Sequence, residues 1–243
     1  MPVLLVTGGS RGIGAAIARL GAKRGYDVAV NYVRDKAAAD AVVKDVEAAG
    51  RKAVAIQGDM AQEADIERLF DTAAKALGPI THFVYNSGIV GRISRLDAVE
   101  TQTLREVIDL NIFGALVSLR TAIRRMSKAF GGSGGAIVLI GSATATLGAP
   151  NDYVWYAASK AAVETMAIGA AKEVAREGLR VNTVAPGPID TDIHEPGRLD
   201  RIIPNVPIGR AGTPDEVAEA VLFMLSDGAS NITGTTLRVG GGR

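Results

Sequence analysis

The sequence predicts an α/β protein built on one doubly wound parallel sheet of about seven strands, with helices on both faces. Three observations predict it. Short apolar runs recur at 3–6, 28–31, 53–56, 82–85, 136–140, 180–184 and 236–239, and they lack the polar alternation of a strand with one wet face. Longer stretches with helical periodicity separate them, at 13–24, 36–49, 64–77, 101–129, 156–177 and 214–225. The chain has 243 residues, 47% of them hydrophobic, a length that α/β folds reach as a single unit with a large core. Strands buried on both faces read as continuous hydrophobic runs. Parallel strands joined by helices need right-handed crossovers, which lay the helices on both sides of the sheet.

The elements justify themselves in order. The run Val3–Val6 is followed at once by the glycine-rich turn 7–14, which opens the first helix. The second strand runs into Asn31, Tyr32, Val33 and Arg34, and Asp35 stands where the next helix starts, as its N-cap. The third strand leads to Asp59 and Met60. The fourth, in the stretch Thr81-His82-Phe83-Val84-Tyr85, carries a histidine read as buried and hydrogen-bonded. Residues 101–129 read as one long helix, and the glycine-rich stretch 131–135 as the loop leading into the fifth strand. That strand ends in Gly141 and Ser142, and the helix after it carries Tyr156 and Lys160. The sixth strand precedes Pro186 and Gly187, and 193–204 reads as a segment covering the substrate. The last helix and strand close the sheet. No linker or internal repeat divides the chain, so residues 1–243 read as one domain. In such a fold ligands sit beyond the carboxyl ends of the strands.

Composition excludes several classes. Basic and acidic side chains number 27 and 26, for a net charge of +1, without the surplus a nucleic-acid-binding domain shows. There is no cysteine and there are two histidines, so disulfides and thiolate metal sites are excluded and no metal is expected. No run of 18 apolar residues is present, and the apolar start is too short for a signal peptide, which points to a cytoplasmic protein without a membrane partner.

The turn Thr7-Gly8-Gly9-Ser10-Arg11-Gly12-Ile13-Gly14 joins a strand to a helix. Its glycines let the backbone approach a pyrophosphate, whose charge the helix N-terminus stabilises. The spacing differs from the general dinucleotide fingerprint, so position rather than pattern carries the reading. The end of the second strand decides between the two nicotinamide dinucleotides. An acid there would bind the ribose 2′-hydroxyl, whereas its absence beside an arginine suits a 2′-phosphate. With Arg34 there and Arg11 in the turn, NADP(H) is favoured, with NAD(H) not excluded.

Tyr156 and Lys160 are four residues apart, so on a helix they share a face. An ammonium beside a phenol favours the phenolate and is expected to lower its pKa from about 10. Ser142, at the end of the fifth strand, is expected to hold a substrate oxygen at the same sheet edge.

These motifs together resemble the short-chain dehydrogenase/reductase family, with its Rossmann-type fold, over essentially the whole chain. The turn from Thr7 to Gly14 matches the family's, as do Asp59 with Met60, Asn86-Ser87-Gly88 (alanine is usual at the second position), Asn111, Ser142, Tyr156 with Lys160, Pro186-Gly187, and Thr191. The resemblance implies an oxidoreductase that interconverts a carbonyl and a secondary alcohol on a small molecule: a ketone, aldehyde, sugar or polyol. It implies Asn111, Ser142, Tyr156 and Lys160 as catalytic residues, with Tyr156 donating the proton and Asn111 positioning a water next to Lys160. It implies cofactor contacts from Gly8, Ser10, Arg11, Gly12, Ile13 and Gly14; from Asn31, Tyr32 and Arg34; from Asp59, Met60, Asn86, Ser87 and Gly88; from Asn111, Tyr156 and Lys160; and from Pro186, Gly187, Ile189 and Thr191. It further implies a homotetramer built on the helices at 101–129 and 156–177, where small residues such as Ala157, Ala161 and Gly169 permit close approach.

Two rivals stand beside this reading. One is reduction of 3-oxoacyl chains on acyl carrier protein, for which Arg124, Arg125 and Lys128 form a possible docking patch, although a solvated helix end explains them more simply. The other is a non-catalytic dinucleotide sensor, which the intact Ser142, Tyr156 and Lys160 disfavour. Val90, Ile93, Thr144, Tyr153 and residues 189–204 are the expected substrate pocket, and His194 reads as a solvated residue of the covering segment.

Overall fold

A computed structural model describes residues 1–191 and 197–243. Its single sheet has seven strands: β1 (Val3–Val6), β2 (Asp27–Tyr32), β3 (Ala53–Gln57), β4 (His82–Tyr85), β5 (Gly135–Ile140), β6 (Leu179–Pro186) and β7 (Thr236–Val239). Their order across the sheet is β3-β2-β1-β4-β5-β6-β7, and every pairing is parallel. The chain therefore starts at the centre, winds out to one edge, and returns to lay β4 on the free side of β1. That reversal leaves a crevice above the carboxyl ends of β1 and β4, the place where such sheets hold ligands.

The two-residue period of a strand builds two cores from one run. Leu4 and Val6 face α1 (Gly12–Lys23), α2 (Lys36–Ala48) and α9 (Pro214–Leu225), and pack with Ile17, Val42 and Val221. Val3 and Leu5 face the opposite layer, which contains α3 (Glu63–Leu77), α5 (Ala115–Met126) and α7 (Val154–Val174), and pack with Leu69, Leu119 and Ala167. All four β1 side chains are at most 1% exposed, which explains why the strand reads as an unbroken apolar run. Burying each such aliphatic side chain contributes roughly 1.5–3 kcal/mol.

Caps set the helix starts. Asp35 accepts the backbone N–H of Ala38 at 2.9 Å and caps α2. At α9, Thr213 and Glu216 form a reciprocal capping box with Pro214 in the first turn. Two short helices, α6 (Thr144–Leu147) and α8 (Arg198–Ile202), flank the crevice.

The long helix expected at 101–129 is not continuous. It begins as α4 (Thr101–Ile108), widens to a π-helical turn at Asp109–Gly114, resumes as α5 and ends at Met126. Long-range packing causes the widening. The Tyr85 hydroxyl donates to the Leu110 carbonyl at 2.6 Å, and a Cβ on Gly114 would lie 2.1 Å from the Met60 carbonyl oxygen. π-turns of this kind concentrate at functional sites, and this one carries Asn111. At the helix end Arg125 pairs with Asp71 at 2.6 Å, while Arg124 is exposed. His82 is half-buried and hydrogen-bonded through Nδ1 to the Thr81 hydroxyl at 2.8 Å, and burial pushes its pKa down to about 4. None of the described helices is long and apolar enough to cross a membrane.

Candidate active site

The crevice opens into a cavity of about 470 Å³. One wall comes from the turn after β1. Gly8 and Gly12 adopt left-handed backbone conformations, with φ of +59° and +52°. The Gly14 position admits no side chain, because a Cβ there would stand 2.3 Å from the Gly8 carbonyl oxygen and 2.6 Å from Asn86 Nδ2. Asn86 locks the turn by donating Nδ2 to the Thr7 and Gly8 carbonyls, both at 3.1 Å. The Thr7 hydroxyl accepts the backbone N–H groups of Asn86 and Ser87, binding β1 to β4. No side chain caps α1, and its first turn holds no acid. Its free N–H groups therefore suit a phosphate, and the glycine cradle fits a dinucleotide.

The remaining positions expected to hold the cofactor border this turn. Ile13 lines the cavity, Ser10 is half-buried and Arg11 is exposed. Arg34 is exposed just past β2, and Tyr32 is buried. Asn31 departs from its expected role. It is wholly buried; its Oδ1 accepts the Gly8 N–H at 3.1 Å, and its Nδ2 donates to the Gly58 carbonyl at 2.9 Å. Its side chain shapes the turn and has no face left for a cofactor. Asp59 is half-buried, accepting the Ala61 N–H, and Met60 is buried beside the π-turn. On the opposite side Pro186, Gly187, Ile189 and Thr191 line the cavity, as does Gly88. Thr191 lies over Gly12, so the two walls approach each other there.

Ser142, Tyr156 and Lys160 meet on one wall of that cavity. The end of β5 delivers Ser142, whose Oγ accepts the Thr144 N–H at 3.2 Å and hydroxyl at 2.9 Å and hydrogen-bonds Tyr156. The first turns of α7 deliver the other two side chains on one helix face. Lys160 Nζ donates to the Ile140 carbonyl at 2.8 Å and lies 5.7 Å from the centre of the Tyr156 ring. Asn111 does not reach the cavity wall. It is wholly buried, exchanging hydrogen bonds with the backbone of Ile89 at 2.9 and 3.0 Å and donating to the Ser159 hydroxyl. It thereby fixes the loop that follows Gly88.

The expected lowering of the phenol is not what the site produces. Burial pushes Tyr156 up to about 12, outweighing the hydrogen bond from Ser142 and the charge of Arg198. Burial also pushes Lys160 down to about 8, with Glu164 opposing it. Desolvation disfavours the charged form of either group, and at Tyr156 it outweighs the groups that favour the phenolate. At neutral pH Tyr156 holds its proton, the state a donor requires.

Val90, Ile93, Thr144 and Tyr153 line the cavity as the sequence leads one to expect, while His194 lies outside the described residues. Arg198, which falls in the expected segment 189–204, lines it too, whereas Asp152 and Arg243 also line it and escaped the sequence reading, as did Glu164 near Lys160. No motif marks an arginine or acid in a loop; only their packing separates them from surface charges. No cluster of possible metal ligands occurs among the described residues.

The sequence model of the enoyl-(acyl carrier protein) reductase family matches residues 8–243. The uncharacterized oxidoreductase YgfF of Escherichia coli (strain K12) is 42% identical over 247 residues, covering 100% of each chain. The 3-oxoacyl-[acyl-carrier-protein] reductase of Synechocystis sp. (strain ATCC 27184 / PCC 6803 / Kazusa) is 38% identical and spans 99% of this chain and 96% of its own. A crystal structure of a short chain dehydrogenase from Burkholderia cenocepacia J2315 in complex with NADP superposes with a TM-score of 0.92 at 37% identity, over 99% of this chain and 97% of that one.

Proposed function

The chain is an oxidoreductase of the short-chain dehydrogenase/reductase family, and from that premise we propose that it interconverts a carbonyl and a secondary alcohol on a small molecule, with NADP(H) as cofactor and Tyr156 as the proton-transfer residue. The observation that carries this reading is the meeting of Ser142, Tyr156 and Lys160 on one cavity wall, beside a glycine turn with room only for backbone.

Bound NADPH supplies the hydride. The Tyr156 hydroxyl gives its proton to the carbonyl oxygen, a transfer that general acids of this kind accelerate by roughly 10² to 10⁴. The Ser142 hydroxyl holds that oxygen and aligns it with the phenol. Lys160 stands close enough to stabilise the phenolate left behind. Asn111 acts as a positioning residue through Ile89 and Ser159. Alcohol oxidation is the same path reversed. The turn from Gly8 to Gly14, Asp59 and Met60, Asn86 to Gly88, and Pro186 to Thr191 would hold the cofactor. Arg11 and Arg34, both exposed, would bind its 2′-phosphate. Three observations support NADP(H) over NAD(H): no acid ends β2, Asp35 is committed to its cap, and the similar Burkholderia protein was crystallised with NADP.

Reduction of 3-oxoacyl carrier substrates is the second reading, favoured by the likeness to the Synechocystis enzyme. Against a strong docking patch, Arg125 is already tied to Asp71. We include a homotetramer in the proposal, because Ile108, Phe113 and Leu116 expose apolar surface along one helical stretch. A panel of small ketones, aldehydes, sugars and an acyl carrier substrate, assayed by NADPH absorbance and repeated with NADH, tests the reading. Turnover of the carrier substrate alone would replace the first reading by the second.

A further inference from the structure

We propose that Arg198 forms a subsite for an anionic group, so that the preferred substrates are carbonyl compounds or alcohols carrying a carboxylate or phosphate a few atoms from the reacting carbon. This rests on the function proposed above and adds the substrate class.

Arg198, the first residue of α8, lines the same cavity as Tyr156, and its side chain is 6% exposed. Its guanidinium carbon lies 4.5 Å from the centre of the Tyr153 ring, and that ring meets the Tyr156 ring edge-on at 5.3 Å and 82°. One tyrosine ring thus separates the guanidinium from the proton donor. A substrate whose carbonyl oxygen is held by Ser142 and Tyr156 points its far end along Tyr153 towards Arg198.

The guanidinium is short of acceptors. Nη2 donates to Asp152 Oδ2 at 3.0 Å and to the Tyr153 hydroxyl, whereas the buried Nε has no partner among the described residues. A buried cation with an unmet donor is costly. Asp152 offsets little of that, since its side chain is 42% exposed and solvent screens the pair. The charge balance points the same way. Among the described residues lining the cavity, Lys160, Arg198 and Arg243 stand against Asp152 alone, between apolar walls that include Ile93, Leu147 and Ile202. Such walls focus the field of a buried charge, and a guanidinium matches the planar carboxylate in two-pronged hydrogen bonds.

The test uses pairs that differ only in the anion: 4-oxopentanoate and 5-oxohexanoate against their methyl esters, and dihydroxyacetone phosphate against dihydroxyacetone. The wild-type enzyme is expected to favour the anionic member of at least one pair by about ten- to a hundredfold in kcat/KM, the worth of a charged hydrogen bond, with most of the change in KM. Preference in the acid pairs or in the phosphate pair tells which anion the subsite takes. Arg198→Gln should bring that ratio close to one, and Arg198→Lys should retain part of it. If either variant fails to fold, the wild-type ratio alone decides. Turnover of the neutral members at equal or better kcat/KM would overturn the subsite and leave the oxidoreductase reading standing. No turnover of any member with either nucleotide would overturn both.

Discussion

Lys160 donates its ammonium to the Ile140 carbonyl at 2.8 Å, not to the Tyr156 hydroxyl, and stands 5.7 Å from the centre of the Tyr156 ring. The lysine is thereby anchored to the sheet edge from which Ser142 emerges. Its charge lies beside the phenol without accepting or sharing the phenolic proton.

If Tyr156 is the proton donor, Tyr156→Phe removes only an oxygen from a side chain otherwise held by packing. Turnover is expected to fall by roughly 10² to 10⁴, the contribution of a general acid. NADPH binding, followed by nucleotide fluorescence, is expected to persist. Unchanged turnover would remove Tyr156 from the mechanism.

The buried lysine makes stability depend on pH. Its ordinary value is 10.5 and the folded value is about 8. Between those limits the unfolded chain holds a proton that the folded chain has released, so stability rises with pH across that window. Urea titrations of the wild type and of Lys160→Met at several pH values should show the wild type gaining on the variant from pH 8 to 10.5. A flat difference would mean that Lys160 stays solvated.

The cradle depends on a bare backbone at Gly14. A methyl there would collide with the Gly8 carbonyl oxygen at 2.3 Å, and backbone cannot swing aside as a flexible side chain can. Gly14→Ala is expected to cost about 1–3 kcal/mol of stability, the usual range for overpacking, and to weaken NADPH binding. Calorimetry and a nucleotide titration check the two effects separately.

Selectivity for the 2′-phosphate is expected to reside in Arg11 and Arg34, both exposed and free to swing onto a ligand. Replacing the pair by alanine should lower the ratio of kcat/KM for NADPH over NADH by about ten- to a hundredfold, since charged hydrogen bonds contribute roughly 1.5–3 kcal/mol each. An unaltered ratio would place the discrimination elsewhere.

The homotetramer is checked by light scattering on the purified chain. A monomeric mass would refute it and would leave the exposed apolar side chains of Ile108, Phe113 and Leu116 without a partner.

What the sequence by itself determined lies close to the chain. The strands Val3–Val6, His82–Tyr85 and Thr236–Val239 and the helix Pro214–Leu225 have the bounds their patterns predict, because a short apolar run in a parallel sheet and a capping box both write local signatures. The glycine turn and the four-residue spacing of Tyr156 and Lys160 are equally local, so the sequence alone could assemble most of the site. The tertiary structure decided what depends on neighbours far along the chain. The π-turn at Asp109–Gly114 arises from Met60 and Tyr85, which no periodicity in that helix records. Asn31 became part of the scaffold because Gly8 and Gly58 surround it. The Tyr156 phenol went up rather than down because desolvation, a property of the whole surrounding volume, outweighed Ser142 and the charge of Arg198. Arg198 falls in the segment 189–204 expected at the pocket, but its burial against Tyr153 and Asp152 came only with the tertiary structure.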